Sequence, residues 1–167
     1  VSALATLPAL GTVPAQAVSP PGIDERLLPQ PALPAPPRPT VQREVCAMLA
    51  AGSGPGRNQP PGPFDLSEVW RLTRGAGQRV AVIDTGVSLH RRLPDLVPGG
   101  DYVSTGDGTQ DCDAHGTLVA GIIAATADSK SDGFAGIAPE ATLISIRQSS
   151  AKFGPANDRS RMGVGDV

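Results

Sequence analysis

Three apolar runs in the second half of the chain limit what it can fold into: Arg79-Val-Ala-Val-Ile-Asp84, the segment opened by His115-Gly-Thr-Leu-Val-Ala-Gly121, and Ala141-Thr-Leu-Ile-Ser-Ile-Arg147. The first is short, β-branched and lacks polar alternation, as strands buried on both faces of a parallel sheet do. The second is apolar on nearly every side over 118–127 and predicts a buried helix, with Gly121 placed for close approach of another backbone. The third predicts another strand, entered through the turn Gly136-Ile-Ala-Pro139. Strand, helix and strand in this order form a right-handed crossover unit, and hence an open α/β sheet. Two strands and their crossover are only part of such a sheet, so the chain produced alone is expected to be unfolded or aggregated.

The first half reads differently. Residues 1–17 are uncharged and end in Ala15-Gln16-Ala17, a small-x-small site that suits signal peptidase. They are expected to be a signal-peptide remnant; an Ala/Pro-rich flexible terminus is the alternative. Eight prolines fall in residues 18–40, and each fixes φ and removes an amide donor, which predicts an extended, polyproline-like arm. Residues 41–51 are expected to form a short helix carrying Cys46, closed by Gly52-Ser-Gly-Pro-Gly56, and 58–63 is again a Pro-rich linker. The organisation expected is therefore a signal remnant at 1–17, a Pro-rich extension at 18–63, and an incomplete domain at 64–167.

The domain opens with Phe64, then Asp65 as N-cap and Glu68 as its capping-box partner; Phe64 and Val69 complete a hydrophobic staple. This helix should run to about Arg74 and stop at Gly75 and Gly77, with Trp70 anchoring it on the core. Residues 152–167 are polar and aperiodic and are expected to be loop. A net charge of −2 with mixed signs offers no basic footprint, so nucleic acid is not expected as a partner. No apolar run reaches the roughly 18 residues of a membrane helix.

Two cysteines in an exported chain can pair. A Cys46–Cys112 bond would be worth about 4 kcal/mol by loop-closure entropy; two free thiols are the alternative. Cys112 and the two histidines cannot complete a four-ligand zinc site, since His90 lies in a Pro/Arg loop. Asp101, Asp107, Asp111 and Asp113 fit no EF-hand spacing and read as a solvated acidic rim. No metal or cofactor is expected.

The chemistry lies in Asp84 and His115. In open parallel sheets functional groups gather beyond the carboxyl ends of strands, and Asp84 is the first polar residue after Ile83. A half-buried carboxylate there needs a partner, and imidazole suits it: Asp accepts the Nδ1–H, fixes the tautomer and stabilises the imidazolium. The helix dipole would lower the His115 pKa and Asp84 would raise it, which leaves a usable base near neutral pH. Gly116 and Thr117 keep the approach open and offer a hydroxyl to the first turn. An Asp-Thr-Gly alone also suggests an aspartic protease, but that chemistry needs two such motifs and gives His115 no task.

Asp84-Thr-Gly at a strand end, then His115-Gly-Thr-x-Val-Ala-Gly121, then Gly136-x-Ala-Pro139 before an apolar strand, resembles the subtilisin-like serine proteases, whose triad runs Asp, His, Ser. The resemblance covers about residues 64–150. It implies a parallel sheet with helices on both faces, present here in part and preceded by the Pro-rich arm, with Asp84 as the orienting acid and His115 as the general base. The arm, Asp111-Cys112-Asp113-Ala-His115-Gly-Thr and Ile144-Ser-Ile-Arg-Gln-Ser-Ser150 are similar to the mycosins, exported proteases of type VII secretion systems. That narrower likeness implies a polypeptide substrate, partners in the secretion membrane complex, a C-terminal membrane anchor beyond this sequence, and a place on the periplasmic side of the cell membrane. None of the serines lies in the family's Gly-Thr-Ser, and Asn157 lacks the context of an oxyanion donor. Ser149 and Ser150 follow a strand but lack a following helix N-terminus. The nucleophile and oxyanion Asn are thus expected outside this N-terminal portion, which alone would be inactive. A non-catalytic scaffold subunit of the same complex is the competing expectation.

Overall fold

The structure, a computed structural model, describes residues 22–28, 32–48, 66–127 and 134–165. The expected signal remnant, the linker at 58–63 and the Phe64/Asp65 capping box lie outside the described residues. The chain divides into two units, Val1–Ala32 and Leu33–Val167. Among the described residues of the first, one 3-10 turn, Glu25–Leu27, is capped by Asp24, whose Oδ1 accepts from the Arg26 amide at 3.1 Å. The arm is therefore not extended throughout. Between Gly22 and Pro29 no proline forbids a turn, and one forms.

In the second unit β2 (Arg79–Asp84), β3 (Leu96–Asp101) and β4 (Thr142–Arg147) make a parallel sheet in the order β2-β4-β3. The expected strands are both present and paired, Arg79 beside Thr142 through Asp84 beside Arg147. The third strand was not expected. Pro98 and a Gly99-Gly100 irregularity hide it, yet Pro is tolerated on an edge strand that needs only one ladder. A side chain at Gly99 would meet Ile144 and Ile146 at 2.7 Å, so the bare backbone lets β3 close on β4.

Helix α2 (His115–Ala124) packs on β2 and β4 through Gly116, Ala120 and Ala124, one residue per turn. With Val82, Val87, Leu93, Ala125 and Leu143, Ala120 and Ala124 form the main core. Neither β2 nor α2 is buried all round as expected. Among the described residues β2 pairs on one side only and leaves Ile83 62% exposed, while α2 meets the sheet on one side and leaves Leu118 and Ile122 more than half exposed. Among the described residues a Cβ at Gly121 would meet nothing beyond its own helix within 4 Å, so the expected close approach is not there. The close approaches are at Gly116, where a Cβ would stand 2.1 Å from the Gly86 carbonyl, and at Gly136, 2.5 Å from the Ala124 amide. The segment from Gly136 also closes the helix end: the amides of Gly136, Ile137 and Ala138 donate to the carbonyls of Ala125, Ile122 and Ile123.

Residues 41–51 are not the expected helix over their described part. Thr40–Gln42 is β1, antiparallel to β5 (Phe153–Pro155), which lies where loop was expected. The helix-favouring composition of 41–48 yields to tertiary pairing: Arg43 donates to the Pro155 carbonyl at 2.7 Å, Lys152 meets Glu44 at 2.7 Å, and Cys46 is bonded to Cys112. Phe153 packs with Val103 and Cys112 beneath this arm.

Helix α1 (Ser67–Leu72) ends sooner than expected, at Thr73, and Gly75 and Gly77 take positive φ just beyond it. Trp70 anchors it by donating its indole N–H to the Ile137 carbonyl at 2.8 Å, with the Arg74 guanidinium over its ring.

Candidate active site

The parallel pairing of β2 with β4 ends at Asp84 and Arg147, and the two backbones part there. The Gln148 amide, at 2.8 Å, and the Ser149 amide both donate to the Asp84 carbonyl, which fixes the strand end. Asp84's side chain accepts the Thr85 amide at 2.7 Å and faces the first residue of α2: His115 Nδ1 lies 2.8 Å from Oδ1 and 3.0 Å from Oδ2. The two residues singled out from the sequence are thus brought together. His115's side chain is 68% exposed, so the ring's other edge faces solvent, whereas Asp84's is 17% exposed.

Burial pushes the Asp84 carboxyl up, but the hydrogen bond from His115, the Thr85 amide and the imidazolium charge together outweigh it and hold it below the usual range. His115 is raised, first by its hydrogen bond to Asp84 and then by that carboxylate's charge; the charges of Asp111 and Asp113 add to it. The carboxylate thus outweighs the lowering by burial. In the neutral ring Nδ1 carries the proton toward Asp84, and Nε2 is free to accept one.

The aspartates expected as a solvated rim are individually engaged. Asp101, 1% exposed, accepts from the amides of Val103, Ser104 and Gly106 and meets Arg147 Nη1 at 3.3 Å; the Arg147 guanidinium stacks on Phe153. Asp107 holds Thr109. Asp113 accepts from the Ser150 hydroxyl at 2.5 Å and the Ala151 amide at 2.8 Å. Asp111 binds the start of α2. Thr117, expected to serve the first turn, accepts from the Ser88 amide and donates to Asp111. Ser150 is fully buried with its hydroxyl committed to Asp113, an arrangement that does not suit a nucleophile. The sequence pointed to no role for Asp111 at the helix start: the N-cap position is Ala114, and Asp111 reaches the Thr117 amide from three residues further back, where no capping rule looks for it.

Cys46 and Cys112 are joined, with Cα atoms 4.4 Å apart at a sequence separation of 66. Cys112 stands three residues before His115, and the Ala47 amide donates to its carbonyl at 2.8 Å.

The sequence pattern of the subtilase family, peptidase S8, matches residues 75–162, and the chain belongs to that family. It is 71% identical over its whole length to Mycosin-4 of Mycobacterium tuberculosis (strain ATCC 25618 / H37Rv), and spans 37% of that protein's length. Among solved structures it is similar to a serine protease, MycP1, described as an essential component of the type VII (ESX-1) secretion system: 41% identity, TM-score 0.71, covering 86% of this chain and 39% of that one. A chain in the periplasmic assembly from the ESX-5 inner membrane complex matches with 45% identity and TM-score 0.70, covering 84% of this chain and 38% of that one.

Proposed function

We propose that this chain supplies the acid and base of a subtilisin-like serine endopeptidase of mycosin type. The observation that carries the reading is His115 Nδ1 held on the Asp84 carboxylate with the opposite edge of the ring in solvent. In that role Nε2 takes the proton of a serine hydroxyl as it attacks a peptide carbonyl, and Asp84 stabilises the imidazolium that forms. The proton then passes to the leaving amine, and water attacks the acyl-enzyme with the same base. The serine and an oxyanion-hole donor belong to sequence outside this chain, so the 167 residues alone turn over no peptide.

The relatives support a protein exported to the periplasmic side of the cell membrane, with partners in a type VII secretion membrane complex. The arm pinned at Cys46–Cys112 suits an oxidising compartment. The match to a chain within an assembled membrane complex favours a second reading, a scaffold that keeps the fold without turnover. A fluorophosphonate probe separates them: the full-length protein should be labelled and its His115→Ala variant should not. Equal labelling of both rejects His115 as the base, and labelling of neither favours the scaffold.

A further inference from the structure

Asp111 accepts five hydrogen bonds, and they come from both sides of the Asp84–His115 contact. Oδ1 takes the Thr85 hydroxyl at 2.9 Å and the amides of Asp113 and Ala114 at 3.1 and 2.8 Å; Oδ2 takes the amide and hydroxyl of Thr117 at 2.8 and 2.6 Å. Thr85 follows Asp84 and is buried, and its oxygen also accepts the Gly116 amide at 3.0 Å. One carboxylate therefore ties the end of β2 to the first turn of α2. It also holds Ala114, whose φ of 69° is the one positive value among described non-glycine residues. Such a conformation in a residue with a Cβ is retained where its surroundings over-determine it, and here the constraint sits directly before His115.

We propose that Asp111 is a positioning residue of the relay, one that sets the His115 ring on Asp84 by fixing the residues beside each. The inference rests on the protease reading for its purpose and on the hydrogen bonds alone for its geometry. The array demands a carboxylate. An amide at this position has one acceptor oxygen, and either orientation turns its NH2 toward a backbone N–H, those of Asp113 and Ala114 on one side or that of Thr117 on the other. Hydroxyls can rotate to accept; amides cannot. Asp111→Asn must therefore displace the loop or the helix start even though its volume is unchanged.

The experiment uses the full-length protein. In Asp111→Asn, kcat should fall about 10- to 100-fold, the cost of a misplaced catalytic group, with KM changing much less. The His115 imidazole titration, followed by NMR, should move to lower pH as the ring loses both its fixed contact with Asp84 and a nearby charge. Thr85→Val, which removes the hydroxyl at the centre of the array, should act in the same direction, Thr85→Ser should recover most of the loss, and Asp111→Asn with Thr85→Val together should cost less than the product of the two. If Asp111→Asn fails to fold, the Thr85 pair carries the test. Unchanged kcat and imidazole titration in the folded variants, with only a lower melting temperature, would overturn the proposal. A wild-type protein inert to fluorophosphonate whose imidazole still shifts in these variants would reject the protease reading and leave the positioning role standing.

Discussion

The Nδ1 atom of His115 lies within hydrogen-bond distance of both oxygens of Asp84, at 2.8 and 3.0 Å, across the gap between the end of β2 and the start of α2. Asp84→Asn tests this contact with little change of shape. The amide can turn its NH2 toward Nδ1 and stabilise the wrong tautomer, and it carries no charge to oppose the imidazolium. On the proposed mechanism, kcat of the full-length protein should drop about 10⁴-fold, with a small change in KM, measured on a peptide substrate.

Activity should depend on pH through the raised His115 value. The proposed base is competent when neutral, so kcat/KM should fall as pH drops through a point above about 6.5, the ordinary imidazole value. Stability follows a different window. His115's share is complete below about 6.5 and is lost as pH rises through its raised folded value, whereas Asp84's share is complete above about 3.9 and is lost as pH falls through its lowered folded value. Denaturant midpoints of wild type and Asp84→Asn should therefore differ most between those values, and the difference should shrink without vanishing as His115 deprotonates, because the Thr85 amide still favours the carboxylate.

Loss of the Cys46–Cys112 bond should lower stability by up to about 4 kcal/mol, from the entropy regained by a long unfolded loop. The double Cys→Ser variant of the full-length protein should show this in urea. Non-reducing peptide mapping that finds both thiols free in wild type would remove the claim.

Gly116→Ala should damage stability and relay together. The new methyl would stand 2.1 Å from the Gly86 carbonyl, a backbone atom and closer than atoms tolerate, and 3.1 Å from Asp84 Oδ1, a tight contact that would press the carboxylate aside. An overpacking cost of about 1–3 kcal/mol is expected, along with a fall in kcat, whereas Gly121→Ala meets open space and should leave kcat unchanged.

The parts of this molecule that could be read from sequence are those in which a few residues carry a whole constraint. Asp84 at a strand end, His115 at a helix start and Gly136-Ile-Ala-Pro139 each combine unusual residue types with a fixed place between apolar runs, and the structure brings the first two into contact. The elements that escaped are those whose determinants are distant in sequence. β1 and β5 are three residues each, too short for periodicity, and exist because they pair with one another. β3 carries Pro98 and two glycines that belong in a strand only because β4 lies beside it. Asp101 and Asp111 looked alike as exposed acids, since nothing local distinguishes a carboxylate that caps buried amides from one that faces water.

The bond between Cys46 and Cys112 also decides what a cut chain would look like. Hydrolysis of any peptide bond between them leaves two pieces that are still one covalent molecule, with β1 still laid against β5. A nick in that span would be invisible by mass on a non-reducing gel apart from one added water, and would separate into two bands only after thiol treatment. Shedding the segment that bears Cys46 takes two chemically unlike events, hydrolysis and reduction. Where only the first is available, maturation by cleavage would change the connectivity of the chain without releasing the arm.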